Sequence, residues 1–323
     1  MKTGALILTL ALMAAVAAVG PAAARQGAAG TGAQTQEADE RPLVVNADLV
    51  TVTVTVTDGE GHHVAGLGKG AFAVTDDKVP QEITFFADED EPASVGVLFD
   101  VSGSMSGDKI ERAREALAGL VRSSHPADEF FLIDFASEAK LLLDRSRDAD
   151  AVLAKFTYAR PRGQTALYDA VYLGVEKVMR GAHRKRALVV ISDGEDNSSR
   201  HSLGELRRQL QESGVAVYAV GISMNWPPRQ GAGEETLKRL AAATGGEAFF
   251  PKGSSELDVA FERIALGLRH RYAVGYRPSN FAPDGRWHRV RVRVTPPPGV
   301  KRLHVRAKEG YFADPRSFGT SYK

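Results

Sequence analysis

Four stretches of this sequence are apolar at every position: Val95-Gly96-Val97-Leu98-Phe99, Phe130 to Ile133, Ala187 to Ile191 and Val215 to Val220. A strand that alternates can leave one face in water, but a strand apolar throughout must be covered on both faces. That is the situation of a parallel sheet with helices above and below it. Helical spacings recur between these strands. Ile110, Ala113, Leu117, Leu120 and Val121 share one helix face, and Leu257, Phe261, Ile264 and Leu268 share another. The alternation of strand and helix predicts a doubly wound, Rossmann-like α/β domain over residues 91–270.

The pattern differs on either side. Val50 to Thr57 alternates Val and Thr, the period of a half-buried strand, and Asp58-Gly59 follows as a turn. Phe72 to Thr75 and Gln81 to Phe86 predict a second strand pair around the polar turn Asp76-Asp77-Lys78, with Val79-Pro80 suited to a hairpin rather than a central strand. Asp88 to Pro92 has the composition of a solvated linker. Strand character returns at Tyr272 to Tyr276, Arg289 to Val294 and Leu303 to Arg306, with Pro296-Pro297-Pro298-Gly299 separating the last two. Either flank alone is too small to bury a stable core, so residues 42–90 and 271–314 are expected to pair as halves of one small antiparallel β domain. Two separate β units are the alternative. Residues 315–323 are left as a tail.

Residues 1–24 combine Lys2, an apolar run from Ala5 to Val19 and the small residues Ala22-Ala23-Ala24, the signature of a secretory signal peptide. The run is short against the ~20 residues needed to span a bilayer, so a cleaved signal is favoured over a retained anchor. Residues 25–41 are expected to form a disordered leader, with structure beginning near Pro42. The expected location is periplasmic or secreted, with no stable membrane span after cleavage. With 41 Lys and Arg against 40 Asp and Glu, the net charge of +1 supplies no field to recruit nucleic acid or an anionic membrane. The absence of cysteine excludes disulfides, thiol nucleophiles and thiolate zinc sites.

Three loops carry chemistry. Asp100-Val101-Ser102-Gly103-Ser104 follows the first buried strand, at the carboxyl edge where doubly wound sheets bind ligands. Ser192-Asp193-Gly194-Glu195-Asp196 ends another buried strand, and Gly163-Gln164-Thr165 opens a helix. Two carboxylates and three hydroxyls form a hard, all-oxygen donor set suited to Mg²⁺, while Mn²⁺ and Ca²⁺ also accept such ligands. Asp and Ser also favour helix caps, so capping is the competing reading.

Here the sequence resembles the von Willebrand factor type A family, whose metal-ion-dependent adhesion site follows the pattern Asp-x-Ser-x-Ser, a distant Thr and a distant Asp. Asp100, Ser102, Ser104, Thr165 and Asp193 fill the five positions. The resemblance implies direct ligation by the serines, with Thr165 and the aspartates binding directly or through water. It also implies the strand order 3-2-1-4-5-6, with Asp100 and Asp193 on neighbouring strands. In the family a carboxylate of a protein or peptide partner supplies the sixth ligand. The flanking segments around Asp76-Asp77-Lys78 and Arg269 to Pro278 look like those of exported bacterial proteins carrying such a domain.

The function expected is therefore an exported, non-enzymatic, metal-dependent binding or adhesion module, with a Mg²⁺-dependent hydrolase such as a phosphoesterase as the alternative. No His or Lys is placed as general base, since His125 follows a helix at the opposite strand end. Asp108, Glu195 and Asp196 are expected to be solvated acids near the rim. Trp226 is either an exposed contact anchor or packed under its Pro-rich loop. The last helix of the α/β domain runs straight into strand Tyr272 to Tyr276, which makes coupling between the domains physically feasible. His62-His63 fits a surface turn, Gly66-Leu67-Gly68-Lys69-Gly70 lacks the context of a phosphate loop, and Arg289, Arg291 and Arg293 fit a solvated strand face. The oligomeric state does not follow from the sequence.

Overall fold

The structure is a computed structural model that describes residues 49–89, 91–105, 107–156, 161–222, 231–279 and 282–313. The expected signal, the leader, Trp226 and the tail lie outside the described residues. Among the described residues no helix is long and apolar enough to cross a membrane.

The first β segment comprises β1 (Val50–Asp58), β2 (Phe72–Asp76), β3 (Val79–Gln81) and β4 (Ile83–Glu89). The α/β unit follows, with β5 (Ala93–Asp100), α1 (Asp108–Ser123), β6 (Glu129–Phe135), β7 (Ala139–Ser146), α2 (Ala149–Phe156), α3 (Leu167–Met179) and β8 (Lys185–Ser192). It continues through α4 (Leu203–Ser213), β9 (Ala216–Gly221), α5 (Ala232–Thr244), β10 (Ala248–Phe249) and α6 (Ser254–Arg269). The chain returns to β structure in β11 (Arg271–Tyr276), β12 (Trp287–Val294), β13 (Leu303–Ala307) and β14 (Gly310–Phe312).

The central sheet runs β10-β9-β8-β5-β6-β7. All its pairings are parallel except the edge strand β7, which is antiparallel to β6. Counted along this unit the order is 3-2-1-4-5-6, as the family resemblance implied. Every residue of β5 and of β6 is buried, which is why both read as apolar runs. Val95, Val97 and Phe99 pack on one face with Leu117, Phe261 and Ile264 from α1 and α6. Leu98, Phe131 and Ile133 pack on the other with residues of α3, α4 and α5, among them Val171, Leu206 and Leu237.

Strands from both sides of the α/β unit hydrogen-bond with one another. One sheet runs β13-β1-β11-β4 and the other β14-β12-β2-β3, all pairs antiparallel. Their shared core holds Val52, Val54, Phe72, Val74, Tyr272 and Val290. Two details depart from the sequence expectation. The partner of β2 is the short β3 containing Pro80, joined to it through Asp77 and Lys78 at φ 45° and 73°, and after Glu82 the chain crosses to the other sheet as β4. Pro80 is tolerated because β3 is an edge. The acidic stretch also begins inside β4: Asp88 pairs with Tyr272, and its carboxylate accepts from the Gly66 N–H at 3.2 Å.

Thr55 and Thr57 are buried, against the alternation of the strand, and the turn after β1 folds back on it, with His63 bridging to Thr57 and Gly61 beside Arg263 of α6. His63 is drawn inward with it. Burial pushes its imidazole down to about 4, so it is not a plain surface-turn residue. The Tyr272 hydroxyl closes the same loop, donating to the Val64 carbonyl at 2.8 Å and accepting from Leu67 N–H at 3.1 Å. Tyr272→Phe should therefore cost about 1–3 kcal/mol, the range for stranding buried polar partners, measured as a shift of the urea midpoint with unchanged slope.

Candidate metal centre

The sheet's carboxyl edge is built by three loops that hold one another. Gly103 N–H donates to the Gly163 carbonyl at 3.2 Å, and Arg162 N–H to the Val101 carbonyl at 2.7 Å, joining the loop after β5 to the loop before α3. Thr165 is buried, and its carbonyl accepts from the N–H groups of Asn197 and Ser198, both at 3.0 Å. Its own N–H donates to the Asn197 side-chain oxygen at 2.9 Å, so the loop after β8 is tied in as well.

Asp100 ends β5 with no exposed surface. Its Oδ1 accepts from Ser102 N–H at 2.8 Å and its Oδ2 from the Ser192 hydroxyl at 2.5 Å. The Ser102 and Ser104 hydroxyls lie 3.0 Å apart, Ser102 buried and Ser104 exposed. Asp193 follows β8, the strand beside β5, and is half-buried. Burial pushes the Asp100 carboxyl up to about 6; the hydrogen bonds from Ser102 and Ser192 oppose this, and repulsion from Asp193 adds to it. All five expected residues thus lie on the three interlocked loops, which close over the point where the order of the sheet reverses.

The donor set fits a hard divalent cation. A carboxylate with no exposed surface, a second carboxylate acting on it and two hydroxyls in contact form an oxygen-only cluster. Among the described residues neither carboxylate has an ion-pair partner. Buried charge of this kind is costly unless paired or metal-bound. Asp100, Ser102, Ser104, Thr165 and Asp193 are the residues that would hold the ion, and a bound Mg²⁺ would supply an electrophilic position open to an incoming oxygen ligand.

A sequence model of the von Willebrand factor type A domain matches residues 94–263, more than half of the chain. The chain belongs to this family. Domains of this type commonly mediate protein interactions, often through a divalent metal ion. An uncharacterized protein of Synechocystis sp. is 23% identical over 54% of this chain and 41% of its own length. Inter alpha-trypsin inhibitor heavy chain 4 of Mus musculus is 25% identical over 67% of this chain and 23% of its own. The magnesium-chelatase 67 kDa subunit of Chlorobaculum parvum is 26% identical over 59% and 33%. The chain thus spans less than half the length of these relatives. Among solved structures, a von Willebrand factor type A protein from Catenulispora acidiphila aligns with TM-score 0.48 and 14% identity over 86% of this chain and 76% of that one.

Several residues around the type A site carry roles the sequence did not announce. Ser192 donates to Asp100 and accepts from Gly194 N–H at 3.0 Å, linking the two acidic loops. Asp196, expected to be solvated, accepts from Tyr168 N–H at 3.2 Å at the start of α3 and from the Ser199 hydroxyl at 2.5 Å. Asp169 in α3 accepts from Arg200 and His201 N–H at 3.1 and 3.0 Å, and its Oδ1 lies 2.7 Å from His201 Nδ1. Glu195 is exposed as expected, and the side chain of Asp108, at the start of α1, lies outside the described residues. Arg289, Arg291 and Arg293 line the exposed face of β12, whereas Arg306 on β13 turns to Glu247, which also binds Arg263 of α6. A separate group, Asp76 and Asp77 at the expected polar turn together with His288 of β12, lies in the β sandwich with ligand atoms within 4.8 Å of one another.

Proposed function

We propose that this chain is an exported, non-catalytic binding module in which Mg²⁺ on Asp100, Ser102, Ser104, Thr165 and Asp193 captures an acidic side chain of a protein or peptide partner. The observation that carries this reading is the Asp100 carboxylate, buried without an ion-pair partner beside Asp193 and hydroxyl groups at the carboxyl edge of the sheet. Two aspartates neutralise one divalent ion, so a carboxylate held through water leaves the ion able to attract another acid. Binding chemistry is favoured over hydrolysis because the polar groups bonded to these loops are hydroxyls, amides and carboxylates, while His201 is engaged by Asp169 and stacked on Tyr172. Export is supported by the apolar run from Ala5 to Val19 and the small residues after it. Periplasmic or secreted placement follows from that reading.

The test is calorimetry of Mg²⁺ and Mn²⁺ against the wild type and a Ser102→Ala, Ser104→Ala double variant. One ion should bind the wild type, and the variant should lose more than about 100-fold in affinity, beyond the 10–100-fold typical of residues that only support ligands. Glu- and Asp-containing peptides on beads should retain the wild type with Mg²⁺ and release it in EDTA. Retention unchanged by EDTA would refute the carboxylate-capture reading, and Mg²⁺-dependent cleavage of simple phosphate esters would replace it with the hydrolase.

A further inference from the structure

The β sandwich contains a second polar cluster whose donor chemistry differs from that of the type A site. Asp76 ends β2, Asp77 occupies the turn that follows, and His288 lies on the neighbouring strand β12, so residues more than 200 positions apart meet across one strand pair. The His288 Nδ1 is 3.1 Å from Asp77 Oδ2 and 3.9 Å from Asp76 Oδ1.

Each carboxylate has one oxygen committed and the other turned to the imidazole. Asp76 Oδ2 accepts from the hydroxyls of Tyr276 at 3.0 Å and Tyr311 at 2.9 Å. Asp77 Oδ1 accepts from the Arg289 N–H at 2.9 Å. The remaining Asp76 oxygen, Oδ1, belongs to a side chain only 6% exposed and has no hydrogen-bond partner. A carboxylate oxygen stranded in a buried site costs free energy and calls for a ligand that the protein itself does not supply. On the far side of the ring, His288 Nε2 is also buried without a hydrogen-bond partner and faces Asp284 Oδ1 at 3.6 Å. A carboxylate behind the distal nitrogen is the usual support of a metal-bound histidine.

We propose that Asp76 Oδ1, Asp77 Oδ2 and His288 Nδ1 form a site for a first-row divalent transition ion of the Zn²⁺ class, with water as fourth ligand. Imidazole with two carboxylates selects such an ion over Mg²⁺, which prefers oxygen alone. Bonds of about 2.0 Å in a tetrahedron place ligand atoms about 3.3 Å apart. The two separations from the imidazole, 3.1 and 3.9 Å, bracket that spacing, and all three ligand atoms lie within 4.8 Å of one another, so a closure of the carboxylates toward the ring would complete the triangle. Asp77 is 54% exposed, which gives the ion a path in. Because Asp76 and Asp77 precede the α/β unit in the chain and His288 follows it, the ion would pin the two flanking β segments together.

Co²⁺ titration of the full mature chain in the Ser102→Ala, Ser104→Ala background tests the site without interference from the other one. The expected result is the intense visible absorption of four-coordinate Co²⁺, displaced by one equivalent of Zn²⁺, together with a Zn²⁺-dependent rise in Tm that EDTA reverses. His288→Gln should abolish the absorption and the Tm response. Asp77→Asn, which leaves the exposed turn intact, should weaken Co²⁺ at least tenfold. Absence of the absorption in the background protein, or its persistence in His288→Gln, would overturn the proposal and leave His288 packed beside its aspartates as a purely structural contact.

Discussion

Raising the pH from 3 to 7 in EDTA should destabilise the wild type by about 3 kcal/mol relative to an Asp100→Asn variant, and saturating Mg²⁺ should remove that penalty from the wild type alone. The buried Asp100 carboxyl holds its proton up to about 6, against an ordinary value of 3.8. The folded state therefore binds a proton more tightly than the unfolded chain. Below 3.8 both states are protonated and the group costs nothing; between 3.8 and about 6 the unfolded state ionises first and stability falls; above 6 the full penalty is present. The gap corresponds to about 3 kcal/mol at neutral pH. Asparagine keeps the shape without the charge, so subtracting the two pH curves cancels the other titrating groups. Bound Mg²⁺ takes the place of the proton and removes the Asp100 contribution from the wild-type curve. Urea unfolding at a series of pH values reads all of this, and parallel curves for the two proteins in EDTA would refute the description of Asp100 as an uncompensated charge.

The same residue shows why this chain was legible where it was. Asp100 stands at the end of a strand whose burial on both faces forces an unbroken apolar run, and the Asp-x-Ser-x-Ser spacing places its ligand types in one short loop. Local pattern and local chemistry coincide there. They do not coincide in β7, whose Lys140, Asp144 and Arg145 reflect a partly exposed antiparallel edge and broke the apolar signal. Ser192 was unremarkable in sequence because its role is to meet Asp100 across two neighbouring strands. Likewise, His288 acquires meaning only when β12 pairs with β2, and nothing near it in the chain announces Asp76. The crossing of the chain between sheets at Glu82 was hidden for a related reason: alternation predicts strands but not which sheet each one joins.

Gly194→Ala should be the most damaging single-methyl change at the type A site, costing about 3 kcal/mol or more by combining backbone strain with overpacking. Gly194 has φ +84°, and a Cβ there would overlap the backbone of Gly233 near the start of α5; a Cβ on Gly233 would in turn strike the Asp193 carbonyl. Neither side can yield like a flexible side chain, since both are main chain. Gly214→Ala is the matched comparison, with φ +67° at the C-cap of α4 and no atom within 4 Å of its Cβ position. It carries only the left-handed strain and should cost about 1 kcal/mol. For a protein of this size the two variants should lower Tm by roughly 5 °C or more and by about 2 °C. The difference extends to binding. The Gly194 N–H donates to the Ser192 hydroxyl, which donates in turn to Asp100, so displacing this one peptide moves Asp193 directly and Asp100 through Ser192. Gly194→Ala should therefore weaken Mg²⁺ at temperatures where it is still folded, whereas Gly214→Ala should bind as the wild type does. Equal Mg²⁺ affinity in folded Gly194→Ala would mean that the loop after β8 does not place a ligand on the ion.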